Sequence, residues 1–306
     1  MARRTDAVFA LICTLLASAW AAAAAPPEVT SREALVKQYQ AVTQHASALA
    51  TDLYLRSEQS GNSARGDVFA VVAYPFSTLS ARFRQPATWC AILLLHFNVK
   101  ACVHSRTDDT THLTLYLGRK YYQPAGEAYR VEGRFQVQQS KPDFLHVLVS
   151  SDSGPLGLKN YAVVLRAAPL TGGRTLLSFS YSFSYGDVAN WLMRGYFATF
   201  GRDKVGFTTR QVDGKQELVG GIKGMVERNA MRYYLAIEAY LDTLNAPTDR
   251  RFDLRLSPRS TRSLRSSVPC RPRSMTECVP ARPIEGPATR PHMVEVTLPV
   301  AAREPR

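Results

Sequence analysis

"RTLLSFSYSFSYG", residues 174–186, alternates with a period of two. Leu177, Phe179, Tyr181, Phe183 and Tyr185 fall on one side, and Leu176, Ser178, Ser180, Ser182 and Ser184 on the other. Successive side chains of a β-strand point to opposite faces, so this is a strand with one aromatic face and one serine face. The aromatic face predicts packing, and the serine face predicts contact with water. What packs there is the next long apolar pattern, "GMVERNAMRYYLAIEAYLDTL", residues 224–244, where Met225, Val226, Tyr233, Ile237, Tyr240 and Leu241 line one broad stripe at helical spacing. The fold class is therefore α+β: a curved antiparallel sheet wrapped around a long C-terminal helix.

Further strands precede the aromatic one. "THLTLYLG" puts Leu113, Leu115 and Leu117 on one face; "YRVEGRFQVQ" sets Tyr129, Val131, Phe135 and Val137 against Arg130, Glu132, Arg134 and Gln136. "DFLHVLVSSDSG" and "LKNYAVVLRAAPL" continue the pattern, and "TGGR" signals a hairpin turn. Upstream, "DVFAVVAYPF" is a strand ended by Pro75, after which Phe76, Leu79 and Phe83 recur at helical spacing. "WCAILLLHFNVKAC", residues 89–102, reads as a helix with Trp89, Ile92, Leu93 and His96 or Phe97 on one face, turning to strand near Asn98. This helical insertion follows the first strand region. Ser31 is placed to cap an N-terminal amphipathic helix within residues 26–50, and Asp187 to cap a second helix, "VANWLMRGYFATF". The Gly-rich passage before the long helix reads first as a loop and gate, and second as an anion site.

The chain has 306 residues, 45% of them hydrophobic and 21% charged, with a formal net charge of +13, enough for one sizeable core over residues 51–245. Arg3 and Arg4, an apolar run and a string of alanines make residues 1–25 a signal peptide, cleaved within residues 21–25 and carrying Cys13 away. The expected location is the periplasm. From Ala246 the composition turns to Arg, Pro and Ser without Lys, Tyr or Trp, which predicts a disordered tail over residues 246–306. The abrupt bias also fits a reading-frame shift in a GC-rich gene. Read as a functional arm, the basic tail suits an anionic membrane surface; export argues against nucleic acid.

The element order, a first strand region, a helical insertion, a run of antiparallel strands and a closing helix, resembles the helix-grip fold of the START-like (SRPBCC) superfamily over roughly residues 53–244. "WCAILLLHFNVKAC" with "GMVERNAMRYYLAIEAYL" is also similar to a group of exported proteobacterial proteins, a likeness that implies no assigned activity. The superfamily resemblance implies a cavity between sheet and helix that holds a lipid or other apolar small molecule, for a carrier or sensor. Tyr116, Phe179, Tyr181, Phe183, Met225, Tyr233 and Ile237 are the candidate walls, and Arg134 or Arg166 meets a polar headgroup if its strand face looks inward. A filled core would instead leave a non-catalytic envelope interaction protein. A hydrolase or isomerase using the cavity comes third, because no acid–base pair stands at convincing spacing.

Cys90 and Cys102, a dozen residues apart in an oxidising compartment, are placed for a disulfide that closes a short loop and adds about 3 kcal/mol. The competing reading is a free nucleophile with His96 as its base. Six residues of helix separate the two, which sets them on different faces. His96, His104, His112 and His146 show no zinc-ligand spacing, and neither a P-loop, a dinucleotide fingerprint nor a G-x-S-x-G appears, so no metal or cofactor is implied. His96, Asn98 and Lys100 in "HFNVK" are the polar candidates for any function inside the fold.

Overall fold

The computed structural model describes residues 29–46, 49–50, 52–119, 121 and 123–256. The segment expected to be a signal peptide, with Cys13, and the residues beyond Leu256, with Cys270 and Cys278, lie outside the described residues. In chain order the elements are α1 (Arg32–His45), β1 (Leu53–Ser60), β2 (Ser63–Val72), α2 (Phe76–Phe83), α3 (Pro86–Leu93), β3 (Val99–Thr107), β4 (Thr110–Leu117), β5 (Tyr129–Lys141), β6 (Phe144–Ser153), β7 (Leu158–Pro169), β8 (Thr175–Tyr185), α4 (Asp187–Ala198), β9 (Thr209–Val212), β10 (Lys215–Leu218), α5 (Gly221–Asp242) and α6 (Arg251–Arg255).

Prolines punctuate the insertion. Pro75 stands at the N-cap of α2 and Pro86 opens α3, positions where a missing N–H costs nothing. The corner between them is fixed by Trp89, whose indole N–H donates to the carbonyl of Phe83 at 2.8 Å. Thr88 and the Tyr240 hydroxyl, 3.1 Å apart, tie α3 to α5.

β1 to β8 form one antiparallel sheet in the order β1-β2-β8-β7-β6-β5-β4-β3. β8 closes the meander by pairing with β2, so the first hairpin and the last strand lie side by side. The 22-residue α5 rests against β1, β2 and β8 on the concave face, where Leu177, Phe179 and Phe183 are buried. Gly66 permits this approach: a Cβ there would meet the carbonyl oxygen of Val226 at 2.7 Å.

The serine face is not open to water. Leu176, Ser178 and Ser180 are buried, because the convex side of the sheet has its own cover. Toward one end α1, whose Ser31 cap accepts from the Ala34 N–H at 3.2 Å, packs Leu35 with Val29, Phe144, Ala168 and Leu176 into a second small core. Toward the middle Asp67 lies buried, bonded by Arg56 (2.9 Å), Arg65 (2.7 Å) and the Ser180 hydroxyl (2.5 Å). Burial alone would raise the Asp67 carboxyl, but Arg65, the Ser180 hydrogen bond and Arg56 outweigh it and hold it below its ordinary value.

The disordered tail predicted from Ala246 does not begin there. Residues 246–250 turn back and lead into α6, with the Arg255 guanidinium 4.4 Å over the Tyr240 ring and its Nε donating to Thr243 Oγ1 at 2.8 Å. A stacked arginine supplies the burial that composition alone did not promise.

Candidate ligand cavity

The inward-facing residues of β4 to β8 and one side of α5 enclose a cavity of about 380 Å³. Leu115 and Leu117 of β4, Val131 of β5, Val149 of β6 and Val163 of β7 make its apolar floor. Alternation along each strand presents these residues to the concave side, and Gly133, facing the cavity without a side chain, keeps the floor low.

Aromatic rings form the wall. The Tyr233 ring stacks on His96 with centroids 5.0 Å apart and lies 5.6 Å from the Tyr181 ring, which in turn sits 6.3 Å from Tyr161. The hydroxyl of Tyr181 is hydrogen-bonded by Asn229, whose Oδ1 accepts from Arg232 at 3.2 Å. Burial pushes the Tyr233 phenol up to about 12 and raises Tyr161 and Tyr181 as well. All three therefore stay neutral at physiological pH and act as hydrogen-bonding groups without charge.

The turn after α3 supplies the remaining polar groups. The Asn98 backbone N–H donates to His96 Nδ1 at 3.3 Å. Asn98 Nδ2 donates to the Gly118 carbonyl at 2.8 Å, and the Gly118 N–H returns a bond to the Asn98 carbonyl at 2.7 Å. The turn is thereby pinned to the end of β4. The Cys90–Cys102 disulfide closes this same segment, joining α3 to β3 across 5.3 Å between Cα atoms. A bonded Cys90 is not a nucleophile, and the pairing with His96 as base is set aside.

Of the candidate walls, Tyr181 and Tyr233 line the cavity, as do the polar candidates His96 and Asn98. Phe179, Phe183 and Ile237 are buried in the solid core behind it, and Met225 packs against that core. Tyr116 lies on the face of β4 opposite Leu115 and Leu117. Neither arginine looks inward. Arg134 is solvent-facing and ion-paired with Asp152 at 3.0 Å, and Arg166 lies on the convex side, its Nε donating to the Val29 carbonyl at 3.0 Å. Lys100 is held by the carbonyls of Phe97 (2.9 Å) and Tyr121 (3.0 Å). Tyr161 and Asn229 belong to the site without having been expected there. The alternation of Tyr161, Val163 and Leu165, and the spacing of Asn229 four residues before Tyr233, carried the signal.

Among the described residues lining the cavity, none is Asp, Glu, Lys or Arg. A larger groove of about 610 Å³ runs along the surface past Arg84, His104 and Arg106, but Arg84 and Arg106 already bond the carbonyls of Ser80 and Asp108. The inner cavity is the more sheltered and more apolar of the two spaces.

No family model matches the chain, and neither does any curated protein. Among solved structures it is similar to a STAR-related lipid transfer protein from Xanthomonas axonopodis, with 13% identity over 49% of this chain and 88% of that one and a TM-score of 0.35. It is similar also to norcoclaurine synthase from Thalictrum flavum (10% identity, 47% and 78% of the two chains, TM-score 0.33) and to human StAR-related lipid transfer protein 5 (12%, 55% and 90%, 0.33). On its own topology, an eight-stranded antiparallel sheet gripping α5 with two helices inserted after the first hairpin, the fold is a helix-grip arrangement.

Proposed function

We propose that the protein is exported to the periplasm and there binds a compact, neutral, largely apolar molecule between sheet and helix, as a carrier or sensor. The observation that carries this reading is the cavity itself, with an apolar floor, a neutral hydrogen-bonding wall and no side chain of fixed charge. Its volume of about 380 Å³ stands at the lower end of the roughly 300–1,000 Å³ usual for small-molecule sites. That suits one ring system or one chain better than a two-chain lipid. A charged headgroup inside would find no counter-ion among the lining side chains, and an unpaired buried charge costs several kcal/mol. The His96, Tyr161, Tyr181 and Tyr233 polar atoms favour a ligand with one or two hydrogen-bonding groups.

Native mass spectrometry of protein purified from a cell envelope, followed by organic extraction, tests this. The expected result is a small neutral molecule bound one to one. A protein carrying nothing, and taking up nothing when offered neutral apolar compounds, contradicts it.

A further inference from the structure

α4 is apolar on both sides and covered on one. Its inner side packs Ala189, Met193 and Phe197 against the core. On its outer side Val188 is 75% exposed, Trp191 74% and Leu192 55%, and Phe200, just beyond the helix, is 87% exposed. Large apolar patches on a soluble surface mark contact sites.

The start of α4 and one edge of the cavity share an end of the sheet. Tyr185 at the end of β8 pairs with Leu158 at the start of β7, so the turn before Leu158 and the start of α4 share one end of the sheet. That turn carries Leu156, which is 87% exposed and also lines the cavity. Leu117 and Tyr129 pair at the same end, and the loop between them exposes Tyr121. Cations rim the patch: Arg194, Arg202 and Lys159 are exposed, and Lys204 stands over the Tyr196 ring at 4.8 Å. Acids stand there too: Asp187 in the first turn of α4, accepting from Asn62 at 3.2 Å, and Asp203 between Arg202 and Lys204, with Asp152, ion-paired with Arg134, and Glu127 exposed at the same end of the sheet.

We propose that this surface seats the protein on an anionic lipid bilayer. α4 lies in the interface with Trp191 among the acyl chains and the cations at the phosphates, so that the cavity opens toward the membrane. Tryptophan and aliphatic side chains ringed by Arg and Lys are the composition of interfacial helices. A second copy of the chain is the competing occupant of the same patch. The path of the ligand into the membrane rests on the cavity reading; the seating on the bilayer does not.

The test is sedimentation with vesicles of phosphatidylcholine containing phosphatidylglycerol, together with tryptophan fluorescence. Of the three tryptophans, Trp89 is wholly buried and Trp20 lies in the expected signal peptide, so in protein that begins after residue 25 a change on vesicle binding reports Trp191. The expected result is binding that weakens with salt, a blue shift, and quenching by lipids brominated on their acyl chains, with the quenching lost in Trp191→Phe while binding remains. Trp191→Glu with Leu192→Glu, both at exposed positions, should weaken vesicle binding by more than about tenfold without lowering the thermal midpoint. No vesicle binding, equal binding by the double variant, or a dimer that the double variant abolishes overturns the proposal. Such a failure with ligand uptake in solution intact leaves the cavity reading standing, and loss of both removes both.

Discussion

His96 and Tyr233 lie face to face, their ring centroids 5.0 Å apart and their planes 25° from parallel, and this contact joins the turn after α3 to the middle of α5. It closes one side of the cavity with two hydrogen-bonding rings. His96→Ala should lower stability by about 1–2 kcal/mol through the lost stacking and weaken ligand affinity several-fold. Tyr233→Phe keeps the stack and should leave the thermal midpoint near that of the parent. Titration of both variants with one ligand separates packing from hydrogen bonding.

Asp67 anchors the convex face. Its folded carboxyl is held below the ordinary value of 3.8, so the stability it confers is complete above that pH and is lost as the pH falls through the lower folded value. Asp67→Asn should cost about 3 kcal/mol near neutral pH, since two arginines and Ser180 lose their common partner. Denaturant melts from pH 7 to pH 2 should show the gap between parent and variant narrowing only below about pH 4.

His146 titrates in a different window. Burial, reinforced by Arg166, pushes its imidazole down to about 4 from 6.5. Protonation therefore favours the unfolded chain: His146 contributes no pH dependence above 6.5, and stability falls between 6.5 and about 4. His146→Gln should flatten the stability profile in that interval and leave the more acidic Asp67 transition in place.

The aromatic alternation of residues 174–186 and the apolar stripe of residues 224–244 were enough to define the concave core, because period-two and helical patterns report directly which side chains face each other. The convex layer was not legible. Ser180 is buried by Asp67, which is 113 residues away, and by arginines recruited to that acid, a pairing that no local pattern encodes. Tyr116 was separable from the cavity on the alternation of β4 alone, since it falls between Leu115 and Leu117. His96 and Asn98 stood out as polar residues in an apolar run; Asn229 did not, on a helix rich in polar positions. α4 was visible as an apolar helix, but which of its sides lacks a partner depends on where β8 delivers it.

The disulfide supports the site as well as the fold. Cys90→Ser with Cys102→Ser removes a cross-link over a separation of 12 residues and should cost about 3 kcal/mol. Because His96 and Asn98 lie within the closed segment, ligand affinity should drop more than it does for a surface substitution of equal destabilisation. Calorimetric melts paired with ligand titrations, before and after reduction, check both effects.

The most direct measurement of the central claim is titration with N-phenyl-1-naphthylamine, a small, neutral, apolar fluorophore, in the parent and in Val163→Trp. Val163 faces the cavity from β7, and an indole there fills the space while keeping a residue suited to a strand. The account predicts saturable one-to-one binding by the parent and its loss in Val163→Trp at an unchanged thermal midpoint. Equal binding by the two proteins, or none by either, would contradict a ligand site between the sheet and α5.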